Sequence, residues 1–77
     1  MNQFARELIR EAKRMEDFRF LGITQKKRNP HYRLHLEEAD SGDDFFFVVP
    51  STPRNPDAEL NNLHPRVRRA YRRHLGR

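Results

Sequence analysis

The chain has 77 residues, 35% hydrophobic and 35% charged, with a formal net charge of +5 and no cysteine. This length excludes two domains and buries only about 60% of the unfolded surface; without cysteine, neither a disulfide nor a cysteine–zinc staple is available. No apolar run approaches the roughly 20 residues that span a bilayer, and the opening Met1–Glu7 lacks a signal-peptide apolar stretch, so the expectation is one cytoplasmic domain over residues 1–77 with no membrane partner.

Residues 3–16 read as an amphipathic helix. Phe4, Ala5, Leu8, Ile9, Ala12 and Met15 fall on one face at helical spacing, and Asn2 stands where a cap belongs. Phe18–Gln25 reads as a strand whose phase changes at Leu21-Gly22-Ile23, so Gly22 is expected to mark a bulge. Lys26-Lys27-Arg28-Asn29-Pro30 forms a basic turn. His31–Glu37 alternates cleanly, with Tyr32, Leu34 and Leu36 on one face and His31, Arg33 and His35 on the other. Ala39–Asp43 is a polar hairpin tip. Asp44–Val49 is a third strand, and its unbroken apolar run places it at the middle of the sheet or covered on both faces. Pro50, Pro53 and Pro56 stiffen the loop that follows. A short helical turn at 57–63 then leads to a helix from 65 to 75, opened by Pro65 and ended by Gly76.

The order is α-β-β-β-α, and the fold class is α+β: a three-stranded antiparallel sheet with two helices packed on one face. The other face would carry His31, Arg33 and His35.

Charge is distributed in blocks. Residues 1–18 are neutral overall, 19–36 carry +5 with no acid, and 37–44 carry −5 with no base. Residues 45–59 carry −1 and 60–77 carry +6. An acidic turn thus separates two basic blocks. Thirteen of the sixteen basic residues are arginine, whose planar fork suits phosphate. An anionic partner is expected, with nucleic acid the commonest.

The basic stretch leading into His31 at the second strand (Lys26-Lys27-Arg28-Asn29-Pro30-His31-Tyr32-Arg33-Leu34), the Val49-Pro50 end of the third strand and the closing His74-Leu75-Gly76 resemble the HicA family of small toxins, and within it small prophage-encoded proteins. The resemblance extends over nearly the whole chain. It implies a fold similar to the double-stranded-RNA-binding domain, cleavage of mRNA by a single histidine at the start of the second strand, and an antitoxin-like protein partner. Only His31 inherits a catalytic role. Asn29-Pro30 stands where the family usually has Gly-Ser, and Pro65 replaces its Gly-Thr-Leu helix entry.

The chemistry this implies needs no cofactor. An imidazole with a pKa near 6.5 removes the 2′-hydroxyl proton, and nearby cations stabilise the charged phosphorane. Lys26, Lys27, Arg28 and Arg33 are the adjacent cations, with His35 two residues further along the strand. The alternative is that His31 and His35 are solvated residues on an open sheet face. No metal site is expected, because the histidines lack ligand spacing with carboxylates. On the last helix, Arg66, Arg69, Arg72 and Arg73 form a basic ridge. It reads either as a phosphate-binding surface or as arginines that complement the helix dipole and cover apolar rims. Two further readings stay open: a non-catalytic prophage protein that binds nucleic acid or protein, and a homodimer formed through the open sheet face if Phe46 and Val48 are exposed.

Overall fold

The side chain of Asn2 accepts the backbone N–H of Ala5 at 2.8 Å and starts helix α1 (Gln3–Lys13). The cap satisfies a donor that no helical carbonyl reaches. Arg10 and Lys13 in the last turn complement the negative end of the helix dipole. Ala5, Leu8 and Ala12 are buried, as the apolar periodicity requires. The computed structural model describes residues 2–76.

Three antiparallel strands follow, β1 (Phe18–Gln25), β2 (Tyr32–Glu38) and β3 (Asp44–Val49), in the spatial order β1-β2-β3. Between β1 and β2 the register steps from Phe20↔Leu36 to Gly22↔His35, so Leu21 is the extra residue of a bulge. The phase change is therefore real, one residue before Gly22. A Cβ at Gly22 would meet nothing within 4 Å, so the bulge does not depend on glycine.

The β2–β3 hairpin closes through Glu38. Its carboxylate accepts the N–H groups of Asp40 (3.0 Å) and Ser41 (2.9 Å), and those bonds hold its pKa below the usual carboxylate range. Gly42 adopts φ +74°, the left-handed conformation that favours glycine.

β3 departs from expectation. The middle strand is β2, and β3 is an edge. Phe47 and Val49 are buried while Phe46 and Val48 stay exposed. The run is continuous because both faces of β3 are apolar, not because both are covered.

After the proline-rich loop come α2 (Pro56–Asn61) and α3 (Leu63–Leu75). Asn55 caps α2 by accepting the N–H of Ala58 at 3.1 Å, with Pro56 in the first turn. The expected helical turn is α2. The break falls at Asn62 rather than Pro65. Asn62 turns its side-chain amide back to the Ala58 carbonyl at 2.9 Å. Pro65 lies in the first turn of α3, where its missing N–H costs no helical bond.

The core lies between the helices and one sheet face. Leu8, Ala12 and Met15 meet Phe18, Leu34, Leu36, Phe47 and Val49, with Leu63 and Val67 from α3. An aromatic group of Phe18, Phe45 and Tyr71, with ring centroids 5.2–5.5 Å apart, closes one end. Polar ties finish the docking of α3. Arg68 Nε lies 2.8 Å from Asp17 Oδ2, and the His64 ring nitrogen Nε2 lies 2.9 Å from the Glu11 carbonyl oxygen. The Arg68 guanidinium holds the Asp17 carboxyl below its ordinary pKa. Among the described residues, no helix is long and apolar enough to cross a membrane.

Candidate nucleic-acid interface

Because Leu34 and Leu36 point into the core, alternation turns Arg33, His35 and Glu37 to the uncovered face of β2. The register sets their neighbours. Arg33 faces Thr24 on β1 and Val48 on β3; His35 faces Gly22 and Phe46; Glu37 faces Arg19 and Asp44. Phe46 is 51% exposed, with Leu21 and Val48 also exposed beside it. The Arg33 guanidinium lies 5.1 Å from the Phe46 ring centroid, and the His35 ring lies 6.1 Å from it. His35 Nε2 is 2.8 Å from Thr24 Oγ1, which orients the imidazole.

The face is electrically polar along its strands. Lys26, Lys27 and Arg28, all exposed, extend one end of the β1–β2 hairpin. Arg33 continues that positive end. Glu37 and Asp44, with Asp40 and Asp43 in the hairpin beyond, make the other end negative. Arg19 sits within the acidic end, 3.4 Å from Glu37.

His31 lies one residue before β2 rather than in it, and it is exposed. The pairing with β1 ends at Gln25↔Tyr32, and Pro30, which has no N–H, precedes His31. Its backbone N–H donates to Asn29 Oδ1 at 3.4 Å. Among the described residues, its ring makes no hydrogen bond or ion pair.

The arginine ridge divides. Arg66 Nη1 is 2.7 Å from Glu59 across the α2–α3 break, and its guanidinium lies 5.8 Å from the Phe47 ring centroid. Arg66 therefore leaves the expected ridge, because a carboxylate from the preceding helix reaches it. Arg68, placed at the ridge's edge by the helical wheel, is bound by Asp17. Arg69, Arg72 and Arg73 are exposed, and among the described residues no carboxylate lies within ion-pair distance of them.

The free α3 arginines and the basic turn are on different parts of the molecule. Tyr71 packs on Phe45, and its hydroxyl lies 3.4 Å from Asp43 Oδ2. The C-terminal half of α3 thus sits at the acidic end of the sheet. Lys26, Lys27, Arg28, His31 and Arg33 gather at the opposite end. A hollow of about 710 Å³ at the β3 edge is lined by His35 and Phe46 together with Arg73 and His74, and by none of the basic-turn residues.

The grouping of Arg33 and His35 on one face was legible from alternation. The Arg33–Phe46 and Thr24–His35 contacts were not, since they depend on strand register. His74 was missed at the hollow; its stacking on Phe45, 5.9 Å between centroids, gives no local sequence signal. Among the described residues, no three histidine or carboxylate side chains are grouped for a metal ion. In comparisons with known proteins, no family model, curated protein or solved structure matches this chain.

Proposed function

We propose that this chain is a small RNA-binding protein, and that the basic end of the open sheet face is where RNA docks. The supporting observation is the gathering of Lys26, Lys27, Arg28 and Arg33 at one end of the hairpin, with no carboxylate within ion-pair distance among the described residues. Arg14, Arg19, Arg66 and Arg68 have carboxylate partners; Arg69, Arg72 and Arg73 have none among the described residues, but they stand at the acidic end of the sheet. Unpartnered cations release counterions from phosphate on binding, which makes binding strong at low salt and weak at high salt. The resemblance to HicA toxins points to the same ligand.

Cleavage is the second reading, favoured by one placement: His31 is exposed and follows the basic turn directly. In that reading His31 takes the 2′-hydroxyl proton. The oxygen attacks the adjacent phosphorus, the P–O5′ bond breaks, and water protonates the leaving 5′ oxygen, leaving a 2′,3′-cyclic phosphate. The turn cations stabilise the pentacoordinate charge.

One experiment addresses both readings. A fluorescent single-stranded RNA is titrated with wild-type protein, with Lys26→Gln/Lys27→Gln/Arg28→Gln, and with His31→Ala, at low and high salt. Binding lost in the triple variant and retained in His31→Ala supports docking at the turn. Binding unaffected by the triple substitution contradicts it. Product ending in a cyclic phosphate from wild type alone supports cleavage, and equal product from His31→Ala removes His31 from it.

A further inference from the structure

The exposed ring of Phe46 is left over by both the core and the charge argument. It stands on a strand rather than a loop, and its neighbours hold it in place. Arg33 lies 5.1 Å from its centroid, and His35, itself oriented by Thr24, lies 6.1 Å from it. Leu21 and Val48 extend the apolar surface beside it.

The strand edge next to this ring offers hydrogen bonds. Glu38 N–H donates to the Asp43 carbonyl at 2.8 Å, which fixes the phase of the β2–β3 ladder. Pairs in an antiparallel ladder alternate, so Phe45, Phe47 and Val49 direct their backbone groups toward β2. Asp44, Phe46 and Val48 direct theirs off the edge, away from the sheet. A flat apolar ring therefore lies beside an unpaired donor and acceptor of the same residue. Positive charge runs from Arg33 to the basic turn on one side; on the other, Asp44 and the Arg19-paired Glu37 stand on the sheet face, with Arg73 across the hollow at the β3 edge.

We infer, building on the RNA-binding reading above, that Phe46 is the stacking platform for one unpaired nucleobase of single-stranded RNA, whose phosphates run past Arg33 toward Lys26–Arg28. A ring face attracts any base, and the strand edge meets the base's own donors and acceptors. A base inside a duplex has both faces covered and does not fit. Charge and surface select this occupant: an apolar ring for the base, and a run of cations from Arg33 to the basic turn for its backbone.

The chain contains no tryptophan, so Phe46→Trp places a single fluorophore at the platform. The probes are an eight-residue oligouridylate and an abasic strand with the same number of phosphates. The expected result is quenching of the indole by the oligouridylate and not by the abasic strand. Phe46→Ala should weaken oligouridylate binding by about 5- to 150-fold and change abasic binding by less than about twofold. Circular dichroism confirms that both variants are folded. Binding without quenching, or equal weakening toward both strands, overturns the platform while leaving charge-driven docking in place. Failure of wild type to bind either strand overturns both readings. Indole emission that changes with protein concentration in the absence of RNA identifies the face as a self-association surface and also overturns the platform.

Discussion

Strand β3 sets the same residue type in two environments. Phe47 faces the helices and is 9% exposed; Phe46, one residue away, faces solvent and is 51% exposed. Each ring has an arginine near it, Arg66 at 5.8 Å from Phe47 and Arg33 at 5.1 Å from Phe46. Arg66 is also held by Glu59, whereas Arg33 has no carboxylate partner among the described residues. The covered pair belongs to stability. The uncovered pair leaves its aromatic surface and charge open to solvent.

The largest expected effect lies on the covered side. Phe47→Ala removes a core ring at a cost of about 3–5 kcal/mol. A 77-residue domain has only about 4–12 kcal/mol in total. Chemical denaturation should show much of that margin gone, while Phe46→Ala costs less than about 1 kcal/mol. Comparable losses from the two would show that the faces are not different in kind.

Next comes the basic turn. Replacing Lys26, Lys27 and Arg28 with glutamine should lower RNA affinity by about tenfold or more and flatten the logarithmic salt slope by about 2. Thermal stability should stay constant. Neutralising Arg69, Arg72 and Arg73 together should have the smaller effect, because they sit at the acidic end of the sheet. The reverse ranking would move the interface to α3.

The arginine pair sharpens the contrast further. Arg66→Ala should cost up to about 1 kcal/mol of stability, as an exposed or half-exposed ion pair does, and leave RNA binding unchanged. Arg33→Ala should do the opposite: weaker binding at nearly constant melting temperature.

The smallest effect concerns the tie between α3 and the residue before β1. Asp17 has a lowered pKa because Arg68 hydrogen-bonds its carboxylate. A lowered folded-state pKa means that the unfolded chain binds the proton more readily. The contribution is therefore full above the ordinary aspartate value of about 3.9 and disappears as pH falls through the folded-state value. With both side chains more than 40% exposed, it should be worth less than about 1 kcal/mol. Asp17→Asn should lower the melting temperature slightly at pH 7 and leave it unchanged in strong acid.

These contrasts also show what a one-dimensional pattern holds. Alternation in β2 was enough to place Leu34 and Leu36 inward and Arg33 and His35 outward. The phase change near Gly22 was enough to locate the bulge within one residue. Asp44–Val49 was different, since an apolar run reads the same in a covered central strand and in an edge strand with one bare apolar face. Only pairing tells them apart. Pro65 drew attention as a helix breaker, yet the first turn tolerates it, and Asn62 carried the break. His31 continued the alternation of β2, but its would-be partner strand had already ended at Gln25. The α3 arginines showed their charge in the sequence; that Glu59 reaches back across a helix break to one of them was a matter of geometry.

The most direct test of the central claim is an amide chemical-shift titration of isotopically labelled protein with a single-stranded RNA. Perturbations are expected at Thr24–Arg28, Arg33, His35 and Phe46–Val48, with little change along the exposed face of α3. Shifts confined to Arg69–Gly76, with the sheet amides unmoved, would contradict it.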